Sequence, residues 1–112
     1  MRVISQDGTI DVPYDYFSLS LASGKYKDVE YACIYCQNLS SPNGTKLAGY
    51  STEAKAIKAM EMLRNHNEGV TFLKTIINTE KGAQFVRGLS KTDFDKLTQN
   101  YFQFPQDDEI EV

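Results

Sequence analysis

The sequence lacks most of the residues that carry enzyme chemistry. It has no tryptophan, one histidine (His66) and two cysteines (Cys33 and Cys36) among 112 residues. It contains no serine-nucleophile, phosphate-binding or dinucleotide-binding motif, so we expect a protein that is not an enzyme. Two cysteines in a reducing compartment also argue against a structural disulfide.

Long apolar runs are missing as well. No segment approaches the roughly 20 apolar residues that a membrane-spanning helix needs. The first twelve residues, MRVISQDGTIDV, lack the apolar core of a signal peptide. We therefore expect a cytoplasmic protein. Its net charge of −3 gives no reason to expect direct binding of nucleic acid.

The patterns that are present predict a single α+β domain over residues 1–106, followed by an acidic tail at 107–112. Alternating apolar and polar residues, with β-prone stretches, predict a small and mainly antiparallel sheet. Its strands should lie at 2–5, 9–12, 16–21, 29–37 and 46–50. Turns are expected at Asp7-Gly8, at 23–28 and at Asn43-Gly44, where glycine or charged residues interrupt the pattern.

One long amphipathic helix should pack on this sheet. Ser51 or Thr52 can cap its start, and Glu53 lies in the first turn, where the helix dipole favours an anion. Its end is expected at 65–69. The apolar face predicted to meet the sheet contains Ala56, Ile57, Met60 and Leu63, with Arg64 at its edge.

The second half of the chain is less regular. Apolar spacing predicts a short helix at 70–78, and residues 83–87 fit either a helix or a strand. Ser90 or Thr92 should cap a further helix, and residues 101–104 should form a last strand that Pro105 stops. The acidic residues after it should be solvated and frayed.

Three segments carry a resemblance to a known family. They are MRVISQDGTIDVPY at the start, YSTEAKAIKAMEMLR in the middle and YFQFPQDDEIEV at the end. Together they resemble small proteins carried by phages and mobile elements of Gram-positive bacteria. Under them, the expected core residues are Val3, Ile10, Val12, Ile57, Met60 and Leu63.

The resemblance implies that individual function resides in the more variable residues 14–49 and 65–100. Small acidic phage proteins without a catalytic motif are similar in kind to anti-CRISPR proteins. That similarity implies an inhibitor, acting in the host cytoplasm, that binds a type II RNA-guided DNA nuclease and blocks the loading or cleavage of target DNA. The alternative is a zinc-stabilised adaptor that binds another host or phage protein.

Cys33 and Cys36 have the C-x-x-C spacing of half a zinc site. Both thiolates must reach one ion at about 2.3 Å, so the chain would have to turn at 34–36. The predicted site is structural and consists of Cys33, Cys36 and His66, with a carboxylate as fourth ligand. Alternatively, both cysteines are small buried hydrophobes and His66 is an exposed residue at a helix end. A redox pair fits less well, because that motif belongs at a helix N-terminus.

Two further features offer contacts to a partner protein. Six tyrosines lie on the predicted sheet, and exposed tyrosines are common among the residues that dominate interface energetics; half of these could instead face the helix. They are Tyr14, Tyr16, Tyr26, Tyr31, Tyr35 and Tyr50. The acidic tail either keeps the protein soluble or mimics phosphates in the basic channel of a target.

Overall fold

The α+β class predicted from the sequence is confirmed. A computed structural model describes residues 1–111, and in them two small sheets surround one long helix. The strands are β1 (Arg2–Ile4), β2 (Asp11–Pro13), β3 (Ser18–Tyr26), β4 (Val29–Asn38), β5 (Ser41–Tyr50) and β6 (Tyr101–Gln103). The helices are α1 (Glu53–Ile76), α2 (Glu80–Arg87) and α3 (Lys91–Thr98), with short 3-10 helices at Tyr14–Tyr16 and Asp107–Glu109.

The larger sheet is an antiparallel meander in the order β3-β4-β5, and α1 packs across one of its faces. The smaller sheet has the order β2-β1-β6, in which β1 pairs antiparallel with β2 and parallel with β6. The last strand therefore lies beside the first. The core between α1 and the two sheets includes Val3, Ile34, Leu63 and Phe104, each at most 1% exposed.

Of the two hairpin turns predicted in the larger sheet, the first lies within its predicted range and the second does not. Strand β3 extends to Tyr26, and the chain reverses at Lys27 and Asp28, the last two residues of the predicted turn at 23–28; both have positive φ angles (50° and 63°). Positive φ at both loop residues gives the turn whose twist matches that of the strands. The next reversal is at 39–40, while Gly44 (φ 80°) lies inside β5, next to a register irregularity. Its left-handed backbone serves a bulge there, so the prediction of a turn at Asn43-Gly44 is wrong.

Helix α1 begins as predicted but is longer. The Thr52 hydroxyl accepts a hydrogen bond from the Lys55 amide, which identifies Thr52 as the N-cap. The helix runs through the predicted end at 65–69 and includes all but the last two residues of the separate helix expected at 70–78, because Val70 and Leu73 continue its buried face. The burial of these two side chains outweighs the cost of about 1 kcal/mol for having Gly69 inside the helix.

The core prediction is correct for Val3 and Leu63, which are buried, whereas Ile10, Val12 and Met60 are partly buried against the core. It is wrong for Ile57, which is 45% exposed. The face of α1 that meets the sheet is centred on Ala56, Ala59 and Leu63, so Ile57 lies on its flank. Residues 83–87, left open by the sequence, belong to helix α2, and Ser90 caps α3.

No helix within residues 1–111 has both the length and the apolar character needed to cross a membrane.

Candidate functional site

The burial of side chains alternates along β4 and distinguishes the two faces of the larger sheet. Ala32, Ile34 and Cys36 are buried beneath α1, whereas the residues between them are only partly buried. Successive side chains of a strand point to opposite faces, so these intervening residues share the face that α1 does not cover. We call it the open sheet face; its larger side chains are Tyr26, Val29, Tyr31, Cys33 and Tyr35, and its smaller ones are Ser18, Ser20, Ala22 and Gly24.

The tip of the β3–β4 hairpin holds the most exposed part of the open sheet face. Tyr26 and Val29 form the pair that closes the turn and are 69% and 67% exposed, and Tyr31 is 44% exposed. The Tyr31 ring lies across Gly24, where a Cβ atom would come within 2.9 Å of the Tyr31 hydroxyl. Only glycine leaves room for the ring in this position, so Gly24 and Tyr31 form a flat aromatic surface beside the exposed tip.

The opposite end of the same face carries a second exposed apolar group. Tyr16 is 75% exposed and Leu39, in the β4–β5 turn, is fully exposed. They line a shallow cavity of about 510 Å³ together with Ser18, Gln37 and Pro42. The open sheet face thus has aromatic or apolar side chains at both ends, and all of them belong to residues 14–49.

The three predicted metal ligands are not brought together. Cys36 faces the core, whereas Cys33 lies on the open sheet face, because residues three apart on a straight strand point to opposite sides. Burial raises the pKa of the Cys36 thiol, which disfavours the thiolate that zinc requires. His66 lies within α1, stacked obliquely on Phe102, and its Nε2–H donates to the Gln99 carbonyl at 2.8 Å.

Within residues 1–111 no three side chains of the metal-binding types converge on a common point. A zinc site at Cys33, Cys36 and His66 would require β4 to bend and His66 to use its other ring nitrogen. The zinc site and the adaptor function that depends on it therefore stay predictions from the sequence, without support from the geometry.

Not all of the sheet tyrosines are available to a partner. Tyr50 is buried on the helix side, where its hydroxyl donates to the Pro105 carbonyl at 2.8 Å, and burial raises its pKa. Tyr14 is half-buried and packs against the core. The tyrosines with large exposed fractions on the sheet and its turns are Tyr16, Tyr26 and Tyr31.

The acidic tail is docked rather than frayed. The Asp107 carboxylate accepts hydrogen bonds from the Ser51 amide (2.7 Å), the Ser51 hydroxyl (3.1 Å) and Lys55 Nζ (3.0 Å). These bonds lower the pKa of Asp107. Ile110 follows and is only 4% exposed. The segment therefore fastens the chain end to the start of α1, although Asp108, Glu109 and Glu111 remain exposed.

A second carboxylate with a structural role lies in the first turn. Asp7 Oδ1 accepts from the Ser5 hydroxyl (2.7 Å), the Thr9 hydroxyl (2.7 Å) and the Thr9 amide (3.0 Å), and these bonds lower its pKa to about 2. The buried Ser5 hydroxyl in turn accepts from the Ile10 amide. Asp7 thus holds the β1–β2 connection in shape.

Comparisons with protein-family models, with curated proteins and with solved structures found no match to this chain.

The sequence did not identify Val29 and Leu39 as exposed. A signal existed for Val29: a two-residue turn at Lys27-Asp28 would have placed it beside the exposed loop. No comparable signal existed for Leu39. Asn43-Gly44 predicted the turn several residues further along the chain, so Leu39 was not expected to lie in the turn.

Proposed function

We propose that this protein is a phage-encoded inhibitor that binds a type II RNA-guided DNA nuclease through the open sheet face and blocks target DNA loading or cleavage. The observation that carries the proposal is the pair of exposed tyrosines, Tyr26 and Tyr31, on a sheet face that α1 leaves uncovered. Rigid aromatic side chains of this kind are typical anchors of protein–protein interfaces.

The resemblance to phage proteins suggests the class of partner, and the exposed aromatic residues of the open sheet face support it as the contact surface. The open sheet face lies within residues 14–49, the variable region in which the resemblance implies individual function. A binding protein needs only shape, anchors and desolvation, so inhibition by occupation of the nuclease requires no catalytic group. The sheet gives this surface a fixed backbone, which limits the entropy lost on binding.

The test is a DNA-cleavage assay with a guide-loaded type II nuclease from a Gram-positive host. The protein is titrated into the nuclease either before or after target DNA. We expect inhibition when the protein is added first and a stoichiometric complex on size-exclusion chromatography. Absence of inhibition at a large molar excess over nucleases from several such hosts would contradict the proposal.

The surface is tested with Tyr26→Ala and Tyr31→Ala, alone and together. Truncation of an anchor residue costs about 2 kcal/mol or more of binding free energy, which is a loss of about 30-fold in affinity. Tyr101→Ala is the matched control, because Tyr101 is similarly exposed (47%) but lies on β6, in the other sheet. Equal losses for the β6 control and the hairpin variants would refute the assignment of the surface.

A further inference from the structure

The free edge of strand β3 presents unpaired backbone groups along a nine-residue strand whose residues 18–24 carry no charge. Tyr26 and Val29 close a two-residue turn, so they form a hydrogen-bonded pair, and such pairs alternate along an antiparallel ladder. The N–H and C=O groups of Leu19, Leu21, Ser23 and Lys25 consequently point away from β4. Among the described strands β4 is the sole neighbour of β3, so these groups face the outside of the sheet.

The two edges of this sheet are treated differently. On β5, the Gln6 amide donates to the Leu47 carbonyl at 2.8 Å, and the Gly49 amide donates to Gln6 Oε1 at 3.0 Å. Gln6 thus satisfies two backbone groups on the outer edge of β5, at Leu47 and Gly49. On β3 the residues 18–24 (SLSLASG) contain no charge and no proline, which are the usual protections of an exposed edge.

The flank of α1 above β3 adds an apolar strip with opposite charges at its ends. Glu53, Ile57, Met60 and Arg64 follow one another at helical spacing along this flank. The Glu53 carboxylate accepts a hydrogen bond from the Ser23 hydroxyl, and Arg64 lies at the other end, beside Phe17 and Leu19. Ile57 is 45% exposed between them. Helix and strand therefore run alongside each other, with the Glu53 carboxylate near Ser23 at one end and, at the other end, Arg64 in a cleft that Asp15 also lines.

We propose that two copies of this chain pair through their β3 strands, antiparallel about a two-fold axis near Ser20. This register sets Leu19 of one copy opposite Leu21 of the second, with both outward-pointing backbone groups in hydrogen-bonding position. Ile57 of each copy then lies level with Met60 of the other, on either side of the axis. Glu53 of each copy lies level with Arg64 of the other, so the two ends form complementary charge pairs.

The choice of a second copy rests on this self-complementarity. A two-fold axis requires that the same surface fit itself, and the flank does so because its apolar centre is bounded by charges of opposite sign. Cross-strand neighbours on the open sheet face near the axis are small (Ser18, Ser20 and Ala22), so the two strands can approach closely there. The two open sheet faces become one continuous six-stranded surface. The pairing is independent of the proposed function.

The test measures the mass of the purified full-length chain by sedimentation and by light scattering over a wide range of concentration. We expect a concentration-dependent shift from 12.7 kDa to twice that mass. Ser23→Pro removes an outward N–H from β3 and leaves the β3–β4 ladder intact, so it should give a folded monomer. Ser23→Ala is the matched control: it loses the same hydrogen bond to Glu53 but keeps the N–H, and it should remain dimeric.

Exchanging the charges of Glu53 and Arg64 tests the register of the dimer without a proline substitution in β3. Arg64→Glu should raise the dissociation constant of the dimer about ten-fold, and the double variant Glu53→Lys, Arg64→Glu should restore much of the affinity. Circular dichroism of each variant establishes that it is folded. A wild-type chain that stays monomeric at all concentrations, or dimers that persist equally in Ser23→Pro and Ser23→Ala, would overturn the proposal.

Discussion

Because the C-terminal segment is docked on the core, Ile110→Ala should lower the free energy of unfolding by an amount that its burial predicts. Ile110 is 4% exposed and belongs to the core cluster that includes Phe102 and Phe104. The substitution removes three carbon atoms, which at about 0.8 kcal/mol each gives a transfer contribution of about 2.4 kcal/mol. A residual cavity adds to this, while relaxation of a chain end reduces it. We therefore expect the free energy of unfolding to fall by about 2 kcal/mol.

Urea denaturation monitored by circular dichroism measures this difference directly. In a domain of this size about 2 kcal/mol corresponds to a decrease in Tm of roughly 8 °C. Glu111→Ala is the matched control. The Glu111 side chain is exposed next to Ile110, so its removal should change the free energy of unfolding by less than about 0.5 kcal/mol. If Ile110→Ala proved as neutral as the control, the tail would be frayed, as its acidic composition alone suggested.

Three further predictions concern the first turn, a glycine and the cysteines. Asp7→Asn should destabilise the fold near neutral pH. The folded pKa of Asp7 is lowered to about 2 from 3.8, so its stabilisation is complete above pH 3.8 and is lost toward pH 2. Denaturation at a series of pH values should therefore show the difference between variant and wild type shrinking in acid. Gly82→Ala should severely destabilise the protein, since its Cβ would lie 1.8 Å from a backbone carbonyl oxygen, whereas Gly88→Ala has only ordinary contacts and should be mild; thermal melts compare them. If zinc is bound, Cys33→Ser or Cys36→Ser should release stoichiometric metal and lower the Tm, and elemental analysis of untagged protein checks this; metal-free protein of normal stability would refute the zinc site.

The secondary structure was predictable where a pattern had a single physical meaning. The β-prone run of β4 and a helix start capped by Ser51 or Thr52 were both readable from local sequence. The β4–β5 turn was not, because Asn43-Gly44 fits a tight turn and a bulge equally well, and both need a left-handed glycine. Likewise, the end of α1 depended on Val70 and Leu73 finding a buried surface, which local propensity does not report.

The candidate surface was predictable in composition but not in extent. Tyrosines in residues 14–50 indicated a binding face, yet Tyr50 is buried and Tyr26 is exposed although both lie on strands of the same sheet. Their difference arises from which face each residue shares with its cross-strand neighbours, and hence from the register. A shift of one residue would have reversed every assignment.

The sequence by itself determined that the chain forms an α+β fold, that β4 has two distinct faces, and which residues share each face. Only the tertiary structure decided which of those faces α1 covers, because Ala32, Ile34 and Cys36 on one side and Tyr31, Cys33 and Tyr35 on the other are both apolar enough to be buried. It also decided that Ile57 lies on the flank of the helix and that Asp107 fastens the tail. These outcomes depend on contacts between segments far apart in the chain, and such contacts cannot be predicted from local periodicity.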